Sequence, residues 1–105
     1  MSVSFAEFEG IAIDQSGERF PFRVRVGPPY QSNSEPDTWR CPVAIYPLHA
    51  HLRDIAGGDS FQAVCLASRT ALDLLRLFVE RGGRLTYDGA NDVPLDAYIP
   101  VATKA

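Results

Sequence analysis

The stretch GGDSFQAVCLASRTALDLLRLFVERGG, residues 57–83, decides the fold of this chain. Apolar residues recur in it every three or four positions, a pattern typical of an amphipathic helix that packs on other structure. Asp59, with Gln62 three residues later, predicts a capping box in which side chains satisfy the free backbone N–H groups of the first turn. Gly82 and Gly83 predict the C-terminal stop. We therefore expect one helix from about residue 60 to about residue 81.

The predicted helix has a core-facing side that we expect to pack on a sheet. It is formed by Phe61, Val64, Cys65, Ser68, Ala71, Leu72, Leu75, Phe78 and Val79. A polar wedge lies beside it, formed by Gln62, Arg69, Asp73, Arg76 and Glu80, with Leu66 on its flank. This division assumes about 100° of rotation per residue, as in any α-helix.

A second apolar side of the helix carries Ala63, Ala67, Thr70, Leu74 and Leu77. A helix on a single sheet needs an apolar stripe of only roughly 100°, so this side requires a cover of its own. Two hypotheses remain open. The C-terminal tail folds back over Ala63, Ala67 and Leu74, or a second copy of the chain covers Ala63, Ala67, Leu74 and Leu77 in a symmetric homodimer.

The residues before the helix indicate β-strands. In RFPFRVRV, residues 19–26, apolar residues alternate with arginines and Pro21, which predicts a half-buried antiparallel strand. Residues 3–14 form its hairpin partner across a turn at residues 14–18. The apolar positions of that partner change parity near Gly10, which predicts a β-bulge there.

The stretch WRCPVAIY, residues 39–46, predicts a third strand that Pro47 ends. Its core side would carry Trp39, Cys41, Val43 and Ile45. We expect a loop at 27–37, short strands near 53–56 and 84–87, and a turn-rich tail that packs through Leu95, Tyr98 and Ile99. The resulting prediction is a single domain over residues 1–105 of the α+β class, with two layers. A small antiparallel sheet of three to five strands forms one layer, and one long helix packs across its face.

Composition limits the functional classes. The chain has 105 residues and a formal net charge of −3, which argues against a nucleic-acid partner. It shows neither a membrane-spanning stretch nor a signal peptide, so we expect a cytoplasmic protein whose cysteines stay reduced.

Few residues suggest chemistry. His49 and His51 form an H-x-H pair, a weak candidate for a metal site with Asp54 or Asp59 as a third ligand. We favour solvated loop histidines over that metal site, and a packed core thiol over a nucleophile at Cys41. A face of arginines, Arg19, Arg23, Arg25 and Arg40, is a candidate patch for an acidic partner or a nucleic acid, although solvated surface is the commoner case. Nothing supplies a paired nucleophile and base, and no cofactor is expected.

The strings Trp39-Arg40-Cys41-Pro42 and Gly58-Asp59-Ser60-Phe61-Gln62-Ala63, with Ile45 between them and Leu66-Ala67 after them, resemble a family of small bacterial proteins. That family is a domain of unknown function. The resemblance implies a cytosolic bacterial protein and supplies no catalytic residues. The same residues have structural explanations: Trp39 and Cys41 as core anchors, Gly58 as a turn, and Asp59 with Gln62 as a helix cap.

We therefore expect a non-enzymatic protein-interaction module of the accessory or immunity type, with a protein partner or a second copy of itself. The alternative is a small ligand-binding or metal-binding protein, or an enzyme, that uses residues 48–60. A nucleic-acid partner and membrane association are not expected.

Overall fold

A computed structural model describes residues 5–98 of the chain. Seven strands and two helices follow one another: β1 (Ala6–Ile13), β2 (Arg19–Val26), β3 (Tyr30–Gln31), β4 (Trp39–Cys41), β5 (Val43–Tyr46), β6 (Ile55–Gly57), α1 (Ser60–Glu80), β7 (Arg84–Thr86) and α2 (Leu95–Tyr98). The predicted α+β class, with antiparallel strands and one long helix, is confirmed. Ile99 and the last residues of the predicted tail lie outside the described residues.

The strands divide into two antiparallel sheets, where the sequence predicted one. The larger sheet has the order β5-β2-β1-β7, and the smaller has the order β3-β4-β6. Helix α1 packs against β2, β5 and β7 of the larger sheet and against β4 and β6 of the smaller one. The helix therefore joins both sheets into one core.

The hairpin of β1 and β2 is confirmed, but the predicted bulge at Gly10 is wrong. Pairing runs without interruption from Ala6 opposite Val26 to Ile13 opposite Arg19. A Cβ atom at Gly10 would collide with the carbonyl oxygen of Thr86 and lie 2.9 Å from the Phe22 ring. Glycine thus stands here because β7 and an aromatic ring approach the backbone closely, and the change in parity places Ile11 and Ile13 on the face opposite Phe8.

The predicted third strand is interrupted at Pro42, which divides it into β4 and β5. Proline lacks a backbone N–H group, so it cannot continue a ladder of hydrogen bonds on both sides. Its carbonyl instead accepts a hydrogen bond of 2.8 Å from the N–H of Gly27. The chain passes from the smaller sheet to the larger one at this residue.

The predicted ends of α1 are confirmed. The Asp59 carboxylate accepts a hydrogen bond from the Gln62 backbone N–H at 2.7 Å, and the Gln62 side-chain oxygen accepts one from the Gly58 N–H at 2.5 Å. At the other end, the N–H groups of Gly82 and Gly83 donate to the carbonyls of Val79 and Phe78. Gly82 has φ of +99°, the left-handed conformation that glycine supplies at a helix C-terminus.

The predicted core-facing side of α1 is confirmed at Ala71, Leu72 and Leu75 and wrong at Phe61, Cys65 and Val79, because the helix is rotated by roughly 60° about its axis, at about 100° per residue. Ala63, Ala67 and Leu75 are fully buried within the chain itself, whereas Phe61, Cys65 and Val79 are exposed. The reason is steric. A Cβ atom at Gly57 of β6 would lie 2.5 Å from the Ala63 nitrogen, so backbone meets backbone where both residues are small.

The four residues predicted for a dimer interface therefore separate. Ala63 and Ala67 contact the core and have no surface left for a tail or for a second copy. Leu74 is half-buried against the same core, and only Leu77 remains exposed. The tail instead packs beside the later turns of α1, where Val93 and Leu95 join the core cluster.

This orientation predicts that Ala67→Leu destabilises the fold by about 1–3 kcal/mol, since extra methylene groups have no space beside the strands. Phe61→Ala should change the free energy of unfolding by no more than about 0.5 kcal/mol, because the ring is exposed. Urea denaturation of both variants in dilute solution provides the measurement. A large loss for Phe61→Ala together with a neutral Ala67→Leu would restore the orientation predicted from the sequence.

Candidate interaction surface

Cys41 and Trp39 have the structural roles predicted for them. Cys41 is fully buried in the core, and Trp39 is partly buried against it. Burial raises the pKa of the Cys41 thiol, which disfavours the reactive thiolate. Cys41 therefore serves as packing.

The other thiol, Cys65, was predicted to face the core and is exposed on α1. The rotation of the helix that buries Ala63 and Ala67 turns Cys65 outward. It is the exposed thiol of the described residues, and its neighbours on the helix are Phe61 and Arg69, one turn away on either side.

The H-x-H pair lies in the segment between β5 and β6. The backbone of His49 bridges to Ile45 through two hydrogen bonds, and His51 is exposed. Neither carboxylate expected as a third ligand is turned toward a shared site. Asp54 accepts a hydrogen bond of 2.5 Å from the Tyr30 hydroxyl, and Asp59 caps α1. Across residues 5–98, no three His, Cys, Asp or Glu side chains gather so that they could hold a metal ion.

Three of the four arginines of the predicted face form ion pairs with carboxylates of neighbouring strands and loops. Arg23 pairs with Glu9 at 3.0 Å, and Arg25 pairs with Glu7 at 3.3 Å, both across the β1–β2 hairpin. Cross-strand pairs of opposite charge stabilise a hairpin.

The remaining two arginines of that face are also engaged. Arg40 pairs with Glu35 at 2.7 Å, and Arg19 donates to the carbonyl of Gly89 at 3.3 Å. The alternation seen in the sequence thus produces ion pairs in place of a basic patch.

A cleft with a volume of about 700 Å³ lies between the end of α1, β7 and the segment 92–96. Its apolar floor includes Leu85 and Val93. Two ion pairs border it, Arg84 with Asp92 at 2.7 Å and Arg76 with Asp96 at 3.1 Å. These pairs tie the segment 92–96 to the body of the protein, so four of the five charged side chains that line the cleft have structural partners, Glu80 being the fifth.

A pair of tyrosines joins the end of α2 to the loop after β7. The hydroxyls of Tyr87 and Tyr98 lie 2.9 Å apart, and the Tyr98 ring stacks on Phe8 with ring centres 5.3 Å apart. The hydrogen bond to Tyr87, aided by burial, raises the pKa of Tyr98 to about 12. The phenol therefore stays protonated over the physiological range and acts as a tie between elements.

The outward side of α1 is the most distinctive surface of the described chain. It carries four exposed large apolar residues, with exposed fractions of 77% for Phe61, 43% for Leu66, 37% for Leu77 and 41% for Val79. Between them runs the predicted polar wedge, in which Arg69 and Asp73 form an exposed pair at 3.1 Å. The outer face of α1 is defined as these four apolar residues, the Arg69–Asp73 pair, and Gln62, Cys65 and Glu80.

Sequence reasoning missed the outer face because it assigned Phe61 and Val79 to the core. A signal for the correct assignment was present. Ala63, Ala67 and Ala71 recur every four residues, so they offer a stripe along which a helix can approach another backbone closely. The size of the apolar side chains alone favours the side with Phe61 and Val79 as the side that faces the core.

Comparison with known proteins gives a family. Residues 11–97 match the model of a domain of unknown function, DUF6968, and the chain belongs to this family. No curated protein and no solved structure matches the chain significantly. Neither helix of residues 5–98 has the length and apolar character needed to cross a membrane.

The two thiols predict a simple reactivity pattern. In the native protein, Ellman's reagent should modify Cys65 rapidly, while Cys41 should react only after unfolding in denaturant, because it is buried and has a raised pKa. Cys65→Ser should abolish the rapid phase. Two rapidly reacting thiols in the native protein would contradict the placement of Cys41.

The tyrosine pair predicts that Tyr87→Phe lowers the pKa of Tyr98 from about 12 toward the ordinary value near 10, since the hydrogen bond is the main cause of the increase. NMR titration of tyrosines labelled at Cζ resolves each phenol separately. Tyr46→Phe, which removes an exposed tyrosine outside the pair, is the matched control and should leave the pKa of Tyr98 unchanged. An unchanged pKa in Tyr87→Phe would contradict the assignment.

Proposed function

We propose that this member of the DUF6968 family is a non-enzymatic protein-interaction module that docks through the outer face of α1. The observation that carries the proposal is Phe61, which leaves 77% of its surface in water at the start of a helix whose neighbouring turns pack tightly. Aromatic residues, phenylalanine included, are enriched in protein interfaces relative to the rest of the surface. Exposing one costs free energy that a bound partner would return.

Further apolar residues surround Phe61 in the pattern of an interface. Leu66, Leu77 and Val79 lie on both flanks of the polar wedge, so apolar anchors alternate with charged groups that can set orientation. The face belongs to a helix capped at both ends, which keeps the backbone beneath these side chains ordered. A preordered surface binds with less loss of conformational entropy.

We further propose a cytoplasmic role of the accessory or immunity type, in which the module covers and neutralises a partner. The small size of the chain, its net charge of −3 and its family membership are compatible with this role. This step rests on analogy with other small acidic proteins, since a fold alone does not determine function.

The experiment that tests the proposal is photo-crosslinking inside the cells that naturally express the protein. Replacing Phe61 with benzoylphenylalanine should give a discrete adduct, because the exposed ring would lie against the bound partner. Mass spectrometry identifies the adduct. Separately from the adduct, the immunity-type role predicts that a neighbouring gene encodes a toxin.

The matched control carries the same group at Tyr30, an exposed aromatic residue on β3, and should give no such adduct. In the labelled protein, Leu77→Ser should remove the adduct, whereas Tyr46→Ser on β5 should leave it. Absence of any adduct at position 61, or an adduct that survives Leu77→Ser, would refute docking through the outer face.

A further inference from the structure

The charged pair on the outer face of α1 is complementary to itself. Arg69 and Asp73 lie at equal distances along the helix on either side of Ala71, and both side chains are 57% exposed. If a second helix runs antiparallel and a two-fold axis passes at the level of Ala71, each Arg69 faces Asp73 of the other copy. A parallel pair would instead place like charges together, which is unfavourable.

The same register aligns the apolar residues. On one flank of the polar wedge, Leu66 comes opposite Leu77 of the second copy, because these residues are also nearly symmetric about Ala71. On the other flank, Phe61 comes opposite Val79 of the second copy. The midpoint between positions 61 and 79 lies about one residue from Ala71 along the helix. The four exposed large apolar residues of α1 are therefore matched with one another by the register that matches the charges.

A single register thus satisfies three independent pairings. At about 1.5 Å of rise per residue, a shift by one helical turn would separate Arg69 from Asp73 and Leu66 from Leu77 at once. The contact would be isologous, with the same surface used by both copies, as closed two-fold dimers require.

We propose that the partner of the outer face of α1 is a second copy of this chain, bound antiparallel about a two-fold axis near Ala71. The inference rests on the proposed function, since it names the occupant of the same surface. The homodimer predicted from the sequence used Ala63, Ala67, Leu74 and Leu77. Ala63 and Ala67 are buried, and of these four residues only Leu77 belongs to the outer face of α1.

Charge reversal tests the inference through sedimentation equilibrium. The natural chain should self-associate. Arg69→Asp places four negative charges at the centre of the interface, and Asp73→Arg places four positive charges there. Each variant alone should self-associate at least about tenfold more weakly, since like charges in an interface cost free energy. Both sites are exposed, and circular dichroism checks that each variant is folded.

Mixing the two variants provides the decisive measurement. In the mixed dimer, the two negative charges of the Arg69→Asp chain face the two positive charges of the Asp73→Arg chain. The mixture should therefore form heterodimers at least as stable as the natural homodimer. The double variant Arg69→Asp/Asp73→Arg should restore self-association. Arg53→Asp, an exposed charge reversal before β6, is the control and should leave the association unchanged.

The outcomes separate this inference from the proposed function. A natural chain that stays monomeric at millimolar concentration, or a mixture that fails to associate, overturns the homodimer. If the position-61 crosslink then joins a different protein, docking through the outer face is retained. If no crosslink forms, both proposals fail. A homodimer whose affinity ignores Arg69 and Asp73 refutes the stated register.

Discussion

The close approach of α1 to the strands is the constraint on which the rest of the structure depends. A glycine in β6 meets an alanine of the first helical turn with no space for a further carbon atom. Ala67 and Ala71, at successive four-residue intervals after Ala63, are buried as well. Because only small side chains fit there, the larger apolar residues of α1 are divided between the core margins and solvent. The chain's exposed aromatic surface is thus a consequence of how its core is packed.

Much of the fold is predictable from local sequence. The cap at Asp59 and Gln62, the stop at Gly82 and the alternation of β2 all rest on interactions between residues close in the chain, and all are confirmed. The orientation of α1 is not predictable in this way. The apolar residues of α1 cover a very broad arc. Whether the alanines or the larger apolar residues face the core depends on Gly57, which lies in another element. The division into two sheets at Pro42 likewise depends on partners that a single strand does not reveal.

The candidate chemical groups show a related pattern. The alternation of arginines in β2 can be predicted from the sequence. Their ion-pair partners on β1 follow only from the register of the hairpin. Asp54, considered as a metal ligand, is engaged by a tyrosine from β3. Polar side chains in a small protein with two short sheets are largely used to connect its elements. The outer face of α1 stands apart because its apolar groups remain open to water.

The passage of the chain from one sheet to the other at Pro42 has a consequence for how the protein opens. Cys41 and Val43, on either side of the proline, are both buried in the common core, so one continuous backbone joins the central strand of the smaller sheet to an edge strand of the larger sheet. Separating the two sheets would therefore expose core residues on both sides of Pro42 to water. Hydrogen exchange of the protected amides in β4 and β5 would then report one cooperative unit, in place of two subdomains with separate stabilities.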